Sequence, residues 1–481
     1  MTTRPTTPHP TTPHSTTVHP TTTHLPALDL FGIGFGPAAI AVATAIEDES
    51  DQLPPATGRL TTHPPARLTT MFADRADSAA WQPNMLLAGT DIQHHFLRDY
   101  ATPRNPRSRF TFPSYLVDTG RFFPFTLMGG YVSRHEWSEY TQWVARRLSL
   151  PVRYGTEVVL VSPVTRAGRV VAARVLCRDP ATGEQSEHLA RNVLVSTGHQ
   201  PFVPDLFAPH VGARMFHSQE FLARMSALPA ERLRRVAVVG AGQNAGEIIL
   251  HLAGALPQAR IVSLARNSGF RMYNLGHFSN EAYFPAETDY FYALDHDQRQ
   301  QVFAELHSTN YACVDPDLST ALYRAVYEDR HWGRGRLDMR KRTAVDTCAA
   351  APGGGFRLGI REVHTGAVEE LDADLVVLCT GYREPRLPAV LAPFAGYLDH
   401  DEHGDPVVTR AFRLGMRPGC DVGLYLNGIT EWRHGINSAT SFSTMAVKGG
   451  EILADLQARR RAASPAPATN GHRTDPVAIA R

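Results

Sequence analysis

Two glycine-rich turns in the chain have the spacing of a phosphate-binding loop. Residues 236–247 read Val-Ala-Val-Val-Gly-Ala-Gly-Gln-Asn-Ala-Gly-Glu, so a short apolar run leads into Gly240 and Gly242 and then into a helix-like segment. Residues 29–46 show the same arrangement around Gly32, Gly34 and Gly36. A turn without Cβ atoms that opens a helix can hold a pyrophosphate on the helix N-terminus. Two such turns predict two bound dinucleotides.

Both turns depart from the Gly-x-Gly-x-x-Gly pattern at its last position, which is Ala245 in the second turn and Pro37 in the first. Proline suits the first turn of a helix, where its missing N–H is not needed. An acidic residue that ends the next strand should bind the ribose, and Asp74 is the candidate. It lies about twice as far along as the ~20 residues of the pattern. The Pro-rich insertion at 52–65 accounts for the excess.

Length and composition limit the number of domains and the class of protein that can contain these turns. At 481 residues the chain is long enough for two or three domains. Lys+Arg 48 against Asp+Glu 47 gives no reason to expect nucleic acid or an anionic membrane as a partner. No stretch approaches the ~20 apolar residues of a membrane span, so a cytoplasmic protein is expected. The five cysteines form no C-x-x-C pair, which argues against a disulfide reductase.

The two ends of the chain differ from the rest. A five-residue Thr/Pro/His unit repeats through residues 6–25 and places a histidine at 9, 14, 19 and 24. With almost nothing apolar to bury, residues 1–25 are predicted to be a disordered tail and not a metal site. Residues 462–481 are likewise predicted to be disordered.

Several short motifs follow the first turn in a fixed order. They are Trp-Gln-Pro-Asn-Met-Leu-Leu at 81–87, Asp-Ile-Gln-His-His-Phe-Leu-Arg-Asp at 91–99, Phe-Thr-Phe-Pro-Ser-Tyr-Leu at 110–116, Arg-His-Glu-Trp-Ser-Glu-Tyr at 134–140, Phe-Ser-Asn-Glu at 278–281, Ser-Thr-Asn-Tyr at 308–311, Val-Asp-Pro-Asp at 314–317, Asp-Leu-Val-Val-Leu-Cys-Thr-Gly-Tyr at 374–382 and Glu-Trp-Arg-His-Gly at 431–435. In these motifs the chain resembles the flavin-dependent N-hydroxylating monooxygenases, the ornithine and lysine N-hydroxylases of siderophore pathways. The resemblance runs from about residue 28 to 460.

The resemblance implies an α/β fold with two Rossmann-like domains, in which an NADPH-binding domain is inserted into an FAD-binding domain beside a small substrate-binding region. The predicted boundaries are 26–203 for the first part of the FAD domain, 204–378 for the NADPH domain with substrate-contacting segments, and 379–461 for the return to the FAD domain. Family members are often oligomeric, so a homo-oligomer is expected.

The resemblance also assigns residues to the two cofactors. FAD is expected to contact Gly32, Gly34, Gly36, Pro37, Asp74, Trp81, Met85, Gln93, Thr380 and Gly381. NADPH is expected to contact Gly240, Gly242, Gln243, Asn244, Arg266 and Arg271. The two arginines follow the strand predicted at 260–265, where no acid is present, and a positive charge there favours NADPH over NADH.

The activity that the resemblance implies is N-hydroxylation of a primary amine of an amino acid. NADPH reduces the flavin, O₂ adds to give a C4a-hydroperoxyflavin, and the neutral amine attacks the distal oxygen. The protein needs to hold the amine and exclude water, so no catalytic side chain and no metal are expected.

The expected substrate contacts are Gln93, His94, Arg98, Asn280, Asn310 and Ser443. Arg98 stands where ornithine enzymes carry the lysine that pairs with the substrate carboxylate. His94 and His95 replace small residues, and neutral residues at 272–277 replace a pair of acids. A wall rich in cationic and neutral donors favours a substrate with a second carboxylate, L-aspartate, oxidised towards a hydroxylamino or nitro product. The alternative is that Arg98 simply replaces lysine and the substrate is L-ornithine or L-lysine.

Two other classes of protein have weaker support in the sequence. A Baeyer–Villiger or generic flavin monooxygenase needs a Phe-x-Gly-x-x-x-His motif before the second turn, and the chain has only Phe-His-Ser at 216–218. A non-catalytic nucleotide-binding protein is the alternative of another class. A yellow protein that oxidises NADPH would exclude it.

Overall fold

The computed structural model describes residues 26–52, 67–274, 276–438 and 441–463. The Thr/Pro/His repeat, residues 53–66 and the tail from 464 onward lie outside the described residues. Two residues assigned to the tail, Ala462 and Ala463, instead end the last helix.

In chain order the strands are Leu30–Ile33 (β1), Thr70–Ala73 (β2), Val152–Arg153 (β3), Glu157–Arg166 (β4), Arg169–Arg178 (β5), Gln185–Ala190 (β6), Asn192–Val195 (β7), Gln200–Pro201 (β8), Met215–His217 (β9), Arg235–Val239 (β10), Arg260–Leu264 (β11), Leu337–Arg340 (β12), Thr343–Ala350 (β13), Phe356–Glu362 (β14), Val368–Ala373 (β15), Leu375–Leu378 (β16), Tyr382–Arg383 (β17) and Gly423–Leu426 (β18). The helices are Pro37–Gln52 (α1), Phe112–Asp118 (α2), Phe122–Thr126 (α3), Arg134–Arg147 (α4), Phe221–Ser226 (α5), Gln243–Ala255 (α6), His277–Asn280 (α7), Pro285–Ala293 (α8), His296–Leu306 (α9), Pro316–His331 (α10), Glu431–His434 (α11) and Met445–Ala463 (α12).

The first domain is built on a five-stranded parallel sheet in the order β18-β7-β1-β2-β3. Strands β1 and β18 are buried along their whole length, as expected of parallel strands covered on both faces. Helices α1 and α12 pack together on one face, and the antiparallel sheet β4-β5-β6 belongs to the other side. Strand β18 comes from near the end of the chain and pairs in parallel with β7, so the C-terminal segment completes this sheet.

The second domain repeats this architecture within the first. Its parallel sheet has the order β12-β11-β10-β16-β9, and a small antiparallel sheet β13-β14-β15 packs beside it. All these strands lie between residues 215 and 378, so the predicted insertion of one Rossmann-like domain in another is confirmed.

One segment of the first part of the chain joins the core of the second domain. A 3₁₀ turn, Pro83–Met85, places Met85 and Leu87 against Phe216, Phe221 and other buried residues of the inserted domain. The two domains therefore share a core.

Among the described helices, none is long and apolar enough to cross a membrane. The five cysteines, all within the described part, form no disulfide.

Candidate active site

The first glycine turn connects the carboxyl end of β1 to α1. Gly34 has φ +84°, and a Cβ there would lie 2.6 Å from the carbonyl oxygen of Ser196. The turn is held by the Asp74 carboxylate, which accepts a hydrogen bond from the Phe35 N–H at 2.6 Å. Asp74 follows β2 directly, which pairs in parallel with β1. Asp74 therefore lies at the end of the second parallel strand, as predicted, although it is farther along the sequence than the usual pattern places this acid.

Beyond Gly34 the turn is open. A Cβ at Gly36 would meet no atom within 4 Å, and α1 begins at the next residue, Pro37. An open backbone at the N-terminus of a long helix is suited to a pyrophosphate.

The second glycine turn connects β10 to α6. Gly240 has φ +131°, and a Cβ there would clash with the carbonyl oxygen of Cys379, at the end of the neighbouring strand β16. Gly242 is the N-cap of α6. The turn therefore has the backbone that its sequence predicts, closely packed against β16.

A cavity of about 1080 Å³ is lined by residues from both domains. It receives predicted residues from three groups: Gly34, Gly36, Pro37, Asp74, Trp81 and Gln93 from the FAD set, Asn244 from the NADPH set, and all of Gln93, His94, Arg98, Asn280, Asn310 and Ser443 from the substrate set. The structure thus brings into one cavity the six residues predicted to contact the substrate, although Gln93 and Ser443 are far apart in sequence.

Other predicted FAD contacts do not line this cavity. Gly32 lies within β1, and Met85 is 3% exposed in the core of the second domain. Thr380 and Gly381 lie where the chain leaves β16: the Thr380 hydroxyl donates to the Phe202 carbonyl, and the Gly381 carbonyl is 2.9 Å from Nε2 of His217. This places them in the connection between the domains.

Five of the six predicted NADPH contacts also lie off the cavity: Gly240, Gly242, Gln243, Arg266 and Arg271. Arg266 and Arg271 are exposed beyond the end of β11. The side chain of Gln243 is bonded within the protein, to Glu247 and to the backbone of Asp315.

Arg98 is a half-buried cation in the cavity wall. Its Nη1 donates to the Ser443 hydroxyl at 2.7 Å, and no carboxylate in the described part of the chain forms an ion pair with it. Burial lowers the pKa of its guanidinium, and the nearby Tyr283 phenol acts in the opposite direction. An anionic ligand would supply the missing charge.

His94 packs among aromatic rings. Its ring stacks on Phe442 at 4.6 Å and meets Trp137 edge-on at 4.8 Å, and its Nε2 is buried without a partner. Burial, followed by the charges of Arg98 and His95, lowers the pKa of His94 to about 3. The ring is therefore neutral at physiological pH.

Sequence reasoning missed several polar residues of the cavity wall, among them Asp91, Arg134, Tyr273, Tyr283 and Asp315. Arg134 makes a bidentate ion pair with Glu247 of the second domain at 2.6 and 2.8 Å. Burial, then the neighbouring acids Asp317 and Asp315, raises the pKa of Asp91 to about 6. A signal was present for Asp315, because an Asp-Pro pair typically begins a helix.

Behind Asn310 lies a buried carboxyl group. The Tyr311 hydroxyl is 2.6 and 2.7 Å from the two carboxylate oxygens of Glu431. Burial raises the pKa of Glu431 to about 8, with a smaller contribution from Glu384, although the hydrogen bond from Tyr311 acts in the opposite direction.

Two nested Rossmann-like domains around one cavity are the architecture of a flavoenzyme that uses two dinucleotides. The chain belongs to the L-lysine 6-monooxygenase/L-ornithine 5-monooxygenase family, whose model matches residues 26–384. It is 32% identical to the L-ornithine N(5)-monooxygenase of Pseudomonas aeruginosa over 448 residues, which are 92% of this chain and 97% of that protein.

Two solved structures of the family have the same fold. The L-lysine 6-monooxygenase of Pseudomonas syringae is 36% identical, with a TM-score of 0.79 over 90% of this chain and 99% of that one. The ornithine N-hydroxylase of Kutzneria sp. 744, solved with reduced FAD, NADP⁺ and L-ornithine, is 30% identical, with a TM-score of 0.83 over 90% and 100%.

As a member of this family the protein is an amino-acid N-monooxygenase that uses FAD and NADPH, and its residues fit both. The open backbone at Gly36 and the acid at the end of β2 suit the flavin nucleotide. The Gly240 turn and the N-terminus of α6 suit the nicotinamide nucleotide.

Proposed function

We propose that the protein hydroxylates the side-chain amine of L-ornithine, converting the amine, O₂, NADPH and a proton into the hydroxylamine, water and NADP⁺. The observation that carries the proposal is Arg98, a half-buried cation without a carboxylate partner in a cavity that also presents the amides of Asn280 and Asn310. One guanidinium matches one α-carboxylate, and the amides offer neutral partners to an α-amine.

The preference for aspartate loses its physical basis in the structure. It drew on His94 as an additional donor, but the His94 ring is neutral and packed between aromatic rings. It also required a wall poor in acids, but Asp91 and Asp315 reach the cavity from other segments. A second carboxylate would be repelled there, whereas an amine at the end of a side chain would not. The names of the relatives agree with the ornithine alternative.

The site assignments are part of this proposal. We assign Gly34, Gly36, Pro37, Asp74 and Trp81 to FAD, the Gly240–Asn244 turn with Arg266 and Arg271 to NADPH, and the six cavity residues given above to the amino acid. The domain boundaries given from the sequence, assembly as a homo-oligomer and a cytoplasmic location stay predictions.

A substrate panel tests the proposal. FAD-loaded protein is mixed with NADPH and L-ornithine, L-lysine, L-aspartate or putrescine, and NADPH oxidation and hydroxylamine are both measured. Ornithine should give hydroxylamine, and putrescine, which leaves Arg98 unpaired, should be at least about a hundredfold poorer in kcat/KM. Lysine is the second candidate, because the Pseudomonas syringae structure is a lysine enzyme. Hydroxylamine from aspartate and none from ornithine would overturn the proposal.

Two variants test the role of Arg98. Arg98→Met should lower kcat/KM for ornithine by about a thousandfold, since truncating one side of a buried charge pair costs about 2–5 kcal/mol. Arg98→Lys keeps the cation and should retain most of this efficiency. Equal losses in the two variants would mean that the planar shape of the guanidinium, and not its charge, is what the substrate requires.

A further inference from the structure

Asp315 is an N-cap residue that does not cap its own helix. It precedes α10, which begins at Pro316, and its side chain makes no capping hydrogen bond. An aspartate in this position normally accepts from the first turn of its helix. Here its Oδ2 instead accepts from Nε2 of Gln93 at 2.9 Å, across a sequence separation of 222 residues. The carboxylate has been turned towards the cavity.

The side chain that holds this segment is Gln243, at the start of α6. Its Oε1 accepts from the Asp315 backbone N–H at 2.9 Å, and its Nε2 donates to Glu247 at 2.9 Å. Glu247 is held in turn by the bidentate ion pair with Arg134. Both ends of the Gln243 amide are thus used within the protein.

This network fixes which way the Gln93 amide points. A carboxylate only accepts hydrogen bonds, so the NH₂ group of Gln93 must face Asp315. Within the described residues Oε1 of Gln93 accepts no hydrogen bond, and Gln93 lines the cavity. Its carbonyl oxygen is therefore the end of the amide that is available to a ligand.

The orientation matters for an amine substrate. A carbonyl oxygen can accept an N–H of a neutral amine and leave its lone pair free to react. A flipped amide would donate an N–H to that lone pair and occupy it.

We propose that Gln243 and Asp315 are positioning residues for Gln93, which presents its carbonyl oxygen to the substrate amine. The inference rests on the proposed amine N-hydroxylation but not on the choice between ornithine and lysine. It gives the Gln243 side chain a task at the substrate instead of a contact with NADPH.

The test compares FAD-loaded wild type with Asp315→Asn and Gln243→Met, using ornithine or lysine, whichever the panel selects. Each variant should form hydroxylamine at least about tenfold more slowly, with less hydroxylamine per NADPH oxidised. The KM for NADPH should stay within about twofold, and the dissociation constant of the amine, measured from the flavin absorption change without turnover, within about threefold. Asp315→Glu, which keeps an acceptor-only group, should recover part of the rate.

Two controls separate positioning from general damage. Asp297→Asn removes the same charge from the second residue of α9, where no hydrogen bond to Gln93 exists, and should leave coupling unchanged. Gln300→Met is the same substitution as Gln243→Met, made at an exposed position of α9, and should likewise leave coupling unchanged. In a Gln93→Met background, adding Asp315→Asn should cause no further loss.

Three outcomes would overturn the inference. One is a tenfold rise in the KM for NADPH in Gln243→Met with coupling intact, which would mean direct nucleotide contact. Another is a further loss from Asp315→Asn when Gln93 is already methionine. The third is a normal hydroxylation rate in Asp315→Asn. A wild type that hydroxylates neither amine would instead contradict the proposed function, and that result is visible before any variant is made.

Discussion

The two glycine turns share the Gly-x-Gly spacing but differ in their position relative to the cavity. The first turn opens onto it through Gly34, Gly36 and Pro37. From the second turn only Asn244 reaches the cavity among the predicted contacts, and the neighbouring Gln243 points into a network between the domains. The same motif therefore lines the cavity in one domain and contributes to the contact between the domains in the other.

The polar groups of the cavity wall also differ in how they are held. The first glycine turn offers open backbone, and Arg98 is a cation without an ion-pair partner in the described part of the chain. Other amides and phenols are held by carboxyl groups, such as Gln93 by Asp315 and, behind the wall, Tyr311 by Glu431. The geometry of these groups depends on protonation as well as on packing.

The largest effects should come from adding a Cβ to the tightest residue of each turn. Gly34→Ala and Gly240→Ala each combine a positive φ with a clash against a backbone carbonyl, at a cost of about 4 kcal/mol. Gly34→Ala should lose FAD, measured as flavin absorbance per protein. Gly240→Ala should keep FAD and lose reduction by NADPH. Equal loss of flavin in both variants would contradict the assignment of the two turns to different cofactors.

The buried carboxyl group of Glu431 should show itself in the pH dependence of stability. The pKa of Glu431 is raised to about 8 in the folded protein, so the fold binds a proton that the unfolded chain releases at about 4.5. Its contribution is intact below pH 4.5 and is lost as the pH rises to 8, by up to roughly 5 kcal/mol.

Glu431→Gln keeps an acceptor for Tyr311 and removes this ionisation. Its melting temperature minus that of the wild type should therefore increase from pH 5.5 to pH 8.5. A difference that stays constant over this range would show that Glu431 titrates normally.

Gly36→Ala should separate binding from folding in the first turn. The added Cβ meets no protein atom, so the melting temperature of the flavin-free protein should not change. It would stand where the pyrophosphate is expected, and FAD should bind about tenfold more weakly, or about 1.4 kcal/mol. Unchanged FAD affinity would remove Gly36 from the proposed FAD site.

The smallest effect should be at the arginines beyond β11. Both are exposed, so Arg266→Gln or Arg271→Gln should reduce the preference for NADPH over NADH by about fivefold, or about 1 kcal/mol. FAD content should not change. The ratio of kcat/KM for the two nucleotides measures this, and an unchanged ratio in both variants would leave the 2′-phosphate without these partners.

Much of the fold was readable because it is local. Glycine turns, buried β-branched strands and the residue before a helix are set by neighbouring residues, so β1, β10, α1 and α6 could be predicted. Asp74 was found despite the insertion because the end of a strand fixes its position.

The cavity was only partly readable because its chemistry comes from contacts between distant segments. His94 was expected to be an additional donor, but Phe442, 348 residues later, determines that it is stacked and neutral. The prediction of a cavity wall poor in acids was wrong for the same reason. It considered residues 272–277, whereas Asp91 and Asp315 reach the cavity from other segments. The partners of the Gln243 side chain could not be inferred from a turn motif, which describes backbone.

The segment of Met85 and Leu87 has a consequence for how the molecule can be divided. These side chains, 3% and 2% exposed, fill the inserted domain's core although they precede it by more than a hundred residues. A fragment cut at 204–378 would lack them and would expose the apolar surface around Phe216 and Phe221. The inserted domain is therefore not a detachable module, and the two domains should melt in one cooperative transition.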